Sequence, residues 1–236
     1  MHLFYSQDLQ PRINYLGEDE SHHCARVLRL SEGEHIQVTD GTGHFAEGVL
    51  RGIHDKKCSF ILESLPDPLP FPSPLIHIAM APTKSSERFE WFLEKSTEIG
   101  ISQITPVICR HSERLRLNLV HARKVLIAAM KQSLQAYLPL LEEPVPFRDF
   151  IKQGHSGQKF IAWCESEGRE LLSSVYKPGS DATILIGPEG DFSEEEVELS
   201  KKAGFIPVSL GENRLRTETA GMVSLMTLSL LNQCRK

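Results

Sequence analysis

The sequence predicts an α/β protein in two parts: a small module of short strands over residues 1–68, then a parallel sheet flanked by helices over residues 75–236. Three observations carry this reading. Short β-type runs separated by turn residues fill the chain up to Leu65. Pro66–Pro74 then places five prolines in nine residues, a composition that forms neither helix nor central strand and reads as a stiff linker. Beyond it, apolar strand-like runs alternate with amphipathic helical segments, the pattern of a parallel sheet covered on both faces.

In the first part a helix is expected from about Ser21 to Leu30. Ile36 and Val38, the Asp40-Gly41-Thr42-Gly43 turn, Phe45, Gly48-Val49-Leu50, Ile53 and Phe60-Ile61-Leu62 read as consecutive β-hairpins forming a small barrel. Arg26 and Arg29, three apart, share one face of the expected helix and are placed to meet phosphates. His22 and His23 lack partners at metal-ligand spacing, so no metal site is expected.

The second part opens with a strand over Leu75–Ala81 and a helix over Glu87–Gly100, whose Phe89, Phe92, Leu93 and Ser96 form one buried side. Lys84 and Arg88 stand near the start of that helix, where its positive end disfavours cations; a phosphate or a carboxylate would account for them. A second strand spans Ile104–Cys109. After it come Arg110, His111, Arg114 and Arg116, then a long helix over Val120–Tyr137 with Arg123, Lys124 and Lys131. Arg110 and Arg114 are the RNA-contact candidates of this cluster, although charge runs also decorate plain solvated helices. A third strand, Lys159–Trp163, ends at Cys164-Glu165, which the α/β order sets beside the later glycine turns.

The chemistry concentrates between Ile184 and Leu228. A continuously apolar strand, Ala182–Ile186, stops at Gly187-Pro188-Glu189-Gly190. Ser193 with Glu196 three residues on then forms a capping box, and Gly204 ends the resulting helix. A second short strand, Phe205–Leu210, runs into Gly211, and a polar stretch to Thr219 precedes an apolar helix starting near Ala220. Two glycine turns at adjacent strand ends make a crevice where backbone amides and carbonyls approach a flat polar ligand such as adenine. The spacing matches neither GxGxxG nor the Walker GxxxxGK[ST] pattern, so no dedicated phosphate cradle is present.

With these residues in view the chain resembles the RsmE family of 16S ribosomal RNA uridine-N3 methyltransferases, within the SPOUT class. The resemblance rests on Ile186-Gly187-Pro188-Glu189-Gly190, Leu210-Gly211 and Leu215-Arg216-Thr217-Glu218-Thr219-Ala220. It extends to Arg88–Lys95 with Glu98-Ile99-Gly100, to Gln132-Ser133 with Leu138-Pro139, and to Val27-Leu28-Arg29 and Asp40-Gly41. Two positions depart from the family pattern: Asp191 stands where a glycine usual in the family would be, and Gln135 where an arginine would be. The resemblance implies a SPOUT-type sheet with a carboxyl-terminal trefoil knot, a PUA-like RNA-binding barrel at the amino end, and S-adenosylmethionine as methyl donor. Its cofactor contacts would be Cys164, Glu165, Ile186, Gly187, Gly190, Leu210, Gly211, Leu215, Thr217 and Ala220. Arg216 would stabilise charge developing on the uracil oxygens, and Glu218 would orient that arginine or accept a proton.

Bulk properties constrain the partners. A net charge of −5 and a pI of about 6.1 weigh against a sequence-independent nucleic-acid coat, leaving local cation clusters to meet 16S rRNA in the small subunit. Cys24, Cys58, Cys109, Cys164 and Cys234 show no CxxC pair, which fits a reducing, cytoplasmic setting and no structural zinc. Neither a leader pattern nor a membrane span is expected. Val223, Leu225, Met226, Leu228, Leu230 and Leu231 exceed one buried stripe, so a homodimer is expected to cover part of the last helix. An inactive RNA-binding protein, a nucleotide-using enzyme and a ribose 2′-O-methyltransferase remain the alternatives.

Overall fold

A computed structural model describes residues 2–164 and 169–234, which divide into two compact units: Met1–Phe71 with Ile127–Leu138, and Pro72–Leu126 with Pro139–Lys236. The first unit contains β1 (Leu3–Tyr5), β2 (Ile13–Tyr15), α1 (Glu18–His22), β3 (His35–Thr39), β4 (Phe45–Gly52) and β5 (Ser59–Leu62). The strands order as β1-β3-β4-β5-β2, all pairs antiparallel except β1 with β3. Ser6, just past one edge strand, donates its hydroxyl to Tyr15 O on the other edge at 3.1 Å, so the sheet is curled. Phe4, Ile36, Val38, Leu50 and Phe60 fill its interior. Leu69 and Phe71 of the proline-rich stretch are held on this unit: Tyr137 donates its hydroxyl to Leu69 O at 2.5 Å, and its ring meets Phe71 edge-on at 4.7 Å.

The expected helix from Ser21 to Leu30 is corrected here. After α1 the chain widens into a π-helical turn, His23–Val27, with Leu28 N–H donating back to His23 O at 2.9 Å. Leu30 N–H then reaches Cys24 O, and Arg29 takes the left-handed conformation (φ 54°) that closes the helix. Arg26 and Arg29 therefore do not share a helical face.

The second unit is built on β6 (Ile76–Met80), α2 (Ser86–Ile99), β7 (Gln103–Ile108), the first part of α3 (Leu119–Gln132), whose residues from Ile127 on belong to the first unit, β8 (Leu140–Leu141), β9 (Val145–Pro146), α4 (Phe147–Lys152), β10 (Gln158–Ala162), α5 (Leu172–Val175), β11 (Ala182–Ile186), α6 (Glu194–Lys202), β12 (Ile206–Val208) and α7 (Thr217–Gln233). Its strands are parallel in the order β12-β10-β11-β6-β7-β8, with β9 also pairing β7. Side chains alternate between the faces. Ala79, Val107, Ile161 and Leu185 pack under α4 and α6 with Phe147, Phe150 and Val197, while Met80 lies on the opposite face under α2 and α7. The expected helix to Tyr137 stops at Gln132 instead. Ser133 Oγ donates to Ala129 O at 2.7 Å, a main-chain carbonyl of the last turn, and Leu134 turns left-handed (φ 54°).

One buried polar cluster lies in this sheet. His77 Nε2 and Thr105 Oγ1 are 2.8 Å apart, and Phe150 and His155 pack against the imidazole. Burial, and secondarily His155, push the His77 imidazolium pKa down to about 3. A lowered base takes its proton more readily in the unfolded chain, so stability is complete above the unfolded value near 6.5 and is lost as pH falls toward 3. The cost approaches about 1.4 kcal/mol per pH unit within that window. Urea midpoints measured from pH 7 to pH 4 should fall less steeply for His77→Gln than for the wild type; equal slopes would contradict this assignment.

Candidate active site

The carboxyl ends of three neighbouring strands stop in register: Ala162 of β10 pairs with Ile186 of β11 and with Val208 of β12. The loops leaving these strand ends enclose a cavity of about 690 Å³, within the size range of small-molecule and cofactor sites. Ala162, Ile186, Val208, Leu210, Leu215 and Ala220 supply its apolar wall. Cys164, Gly187, Gly190, Gly211, Arg216 and Thr217 line it as well. Glu165 lies outside the described residues.

The first turn is locked from three directions. Asp191 N–H donates to Pro188 O at 2.9 Å, and His111 Nδ1 sits 3.1 Å from Gly190 O and 3.0 Å from Asp191 O. Asp191 Oδ2 accepts the Cys164 amide at 3.0 Å, tying the β10 exit to this turn. Asp191 itself is left-handed (φ 59°), which explains why glycine suits the position and why aspartate, which tolerates that region, replaces it here. Gly187 is closely covered: a Cβ there would stand 3.1 Å from the Phe192 ring, which would have to give by a few tenths of an ångström. Immediately after, Ser193 and Glu196 form the complete capping box of α6.

The second turn leads into α7 earlier than expected. Thr217 and Glu218 already belong to its first turn, and Arg216 is the N-cap residue with extended backbone and no side-chain cap bond. Ala220 N–H reaching Arg216 O at 2.7 Å starts the helix there. Arg216 is exposed on the cavity wall, and its guanidinium has no hydrogen-bond partner among the described residues. Glu218 does not line the cavity. Its Oε1 faces Arg88 Nε at 3.7 Å rather than Arg216, its side chain is only 9% exposed, and its buried Oε2 has no partner. The expected orienting contact from Glu218 to Arg216 is thus replaced by a pair with Arg88, whose spacing from Glu218 in sequence gave no signal.

Of the other expected RNA contacts, Lys84, Arg110, Arg26 and Arg29 are exposed and Arg114 is half-buried, and the side chains of Lys84, Arg114 and Arg26 are engaged. Lys84 Nζ pairs with Glu113 at 2.8 Å, Lys84 N–H donates to Glu189 Oε1 at 2.9 Å, and the Arg114 guanidinium donates to Lys84 O at 2.9 Å. Arg110 N–H donates to Glu196 Oε1, leaving its exposed guanidinium outward. On the first unit Arg26 Nε donates to Asp55 Oδ2 at 2.7 Å and a second nitrogen reaches the same carboxylate; Arg29 is exposed. No group of three or more His, Cys, Asp or Glu side chains fit for a metal ion occurs among the described residues.

Sequence reasoning missed several wall residues: Trp163, Arg169, Ser209, Glu212, Asn213 and Arg214. Loop residues carry no periodicity, so only the fold reveals them. The lining combines apolar side chains with the charged Arg169, Arg214, Arg216, Glu189, Asp191 and Glu212. Trp163 Nε1 is buried without a partner, and the space beside Gly211 (φ 137°) is open.

Residues 70–229 match the family described as RNA methyltransferase domain, and residues 16–63 match the one described as RNA methyltransferase PUA domain. A probable rRNA-methyltransferase from Porphyromonas gingivalis is 40% identical, with a TM-score of 0.90 and complete coverage of both chains. The ribosomal RNA small subunit methyltransferase E of Neisseria gonorrhoeae, solved bound to S-adenosyl methionine, is 26% identical with a TM-score of 0.86, covering 98% of each chain. Among curated relatives, the ribosomal RNA small subunit methyltransferase E of Rickettsia conorii is 28% identical over 93% of this chain and 90% of its own length.

Proposed function

We propose, for a chain that belongs to the RNA methyltransferase family, the transfer of a methyl group from S-adenosylmethionine to N3 of a uridine in 16S ribosomal RNA. The observation that carries this is the joining of both glycine turns around one cavity beneath three aligned strand ends. When bound, S-adenosylmethionine supplies a methyl group already made electrophilic by its sulfonium, so the protein's work is alignment and charge stabilisation.

Ile186, Gly187, Gly190, Leu210, Gly211, Leu215, Thr217 and Ala220 hold the donor together with Cys164, and Glu165, outside the described residues, is assigned to it with them. Their apolar surfaces and exposed backbone groups suit a nucleoside. Arg216 stands at the rim without a partner, available to the uracil O2 and O4 as N3 loses its proton. Glu218 positions Arg88 from behind: the carboxylate is too enclosed to meet a substrate itself. Lys84, Arg88, Arg110 and Arg114 then meet phosphates of an RNA loop, from which a base is extruded at modest cost. Arg26 and Arg29 serve the same purpose on residues 1–68, the RNA-binding domain, and residues 75–236 form the catalytic domain.

A cytoplasmic homodimer with a knotted carboxyl end completes this reading. Met226 and Leu230 of α7 are exposed apolar side chains, which supports a second copy as their cover. Light scattering at micromolar concentration should give twice the 26.6 kDa chain mass; a monomer would contradict the dimer. The function is tested by incubating small subunits from a strain lacking the gene with the protein and labelled S-adenosylmethionine, then mapping the digested RNA by mass. Label on uracil N3 is expected. Label on a ribose hydroxyl, or none, would overturn the proposal.

A further inference from the structure

The cavity wall holds three arginines, and the proposed reaction uses only Arg216. The two left over, Arg169 and Arg214, come from different loops and both line the pocket. Arg169 Nη2 donates to Cys164 O at 2.9 Å. Arg214 is exposed, and its one hydrogen bond among the described residues is a long 3.5 Å reach to Glu189 O, which links the second turn to the first. Most of its donors are unspent. Both guanidiniums act on the Cys164 thiol and favour its anion, although burial and then Asp191 prevail and hold that thiol above its ordinary value. The two cations are therefore close enough to one point to act on it together.

Ala162, Ile186, Val208, Leu210, Leu215 and Ala220 give the same cavity apolar surface. An S-adenosylmethionine molecule carries a neutral flat base at one end and an amino acid at the other, and that second end includes the molecule's one carboxylate. A carboxylate entering a half-enclosed wall requires cationic donors, and planar guanidinium groups match it best. Resting on the cofactor assignment above, we infer that Arg214, assisted by Arg169, recognises the carboxylate of the methyl donor and so makes this pocket selective for the intact amino acid.

Calorimetric titration of the full chain with S-adenosylmethionine and with its decarboxylated analogue tests the inference. Wild-type protein should prefer the intact donor by about 10- to 100-fold, the range for losing a charge-assisted hydrogen-bonded contact. Arg214→Met should bind the decarboxylated analogue as the wild type does and should lose most of that preference, while Arg214→Lys should retain part of it. Arg214 is exposed, so these variants should keep the wild-type circular dichroism spectrum. If Arg214→Met keeps the full preference, the inference is wrong while the cofactor assignment stands. If the wild type binds neither compound, the cofactor assignment itself fails.

Discussion

Replacing Arg216 with alanine should lower methyl transfer by about 10²- to 10³-fold, the loss typical of removing one donor aimed at developing negative charge. Uracil N3 is a poor nucleophile while protonated, and its anion spreads over O2 and O4. Arg216 is the N-cap of α7, exposed at the cavity wall, and its guanidinium has no hydrogen-bond partner among the described residues. Its side chain is not used to build the fold. The substitution should therefore leave thermal stability unchanged and S-adenosylmethionine affinity within a few-fold of wild type, a split seen by comparing radiolabel transfer with calorimetry. Unchanged turnover would remove Arg216 from the mechanism. A large loss of donor affinity would reassign it to cofactor binding.

The second large effect concerns Gly221, buried one turn into α7. A Cβ at this position would lie 2.7 Å from Phe92 Cε2 and 3.1 Å from Met80 Sδ, so α7 approaches both α2 and β6 through the absence of a side chain. Two terms compete on substitution. Removing a mid-helix glycine favours the helix by about 1 kcal/mol, whereas forcing extra carbons into a filled core costs about 1–3 kcal/mol or more. Gly221→Ala should already be net destabilising, because at 2.7 Å the buried Phe92 ring has to shift and that cost outweighs the gain in helix propensity. Gly221→Leu adds three further carbons against the same ring, and the melting temperature should drop on the order of 5 °C or more. Displacing α7 also moves Arg216 and Thr217 at its start, so transfer activity should fall with stability. Thermal unfolding followed by circular dichroism provides the check; an unchanged melting temperature for Gly221→Leu would mean that α7 is not clamped there.

Features written in contiguous residues were legible from the sequence. The apolar run Ala182–Ile186 is β11 to the residue, and the Ser193–Glu196 capping box forms as its spacing requires. Both depend on neighbours a few positions away. What escaped depended on the tertiary setting. Arg29 and Leu134 end their helices in left-handed conformations that ordinary side chains rarely adopt, and no glycine flagged either stop. β1 and β2 are three-residue edge strands, too short for a periodic pattern.

The site divides along the same line. Gly187, Gly190 and Gly211 stood out as glycines, and all three line one cavity. Asp191 read as a departure from the family pattern; its left-handed backbone and its bond to the Cys164 amide show how the turn accommodates it. Arg88 and Glu218 are 130 positions apart in sequence (218 − 88), and only the packing of α2 beside α7 makes them a pair. Arg169 and Arg214 sit in irregular loops, where nothing in the local pattern marks a side chain as facing a cavity.

The account depends most on a single joint ligand site formed by both turns, and amide chemical shifts of the labelled protein during titration with S-adenosylmethionine test it most directly. Residues 187–191 and residues 209–217 should shift together along one saturation curve with one dissociation constant, and ATP should move neither set. Shifts confined to one turn, or none in either, would contradict it.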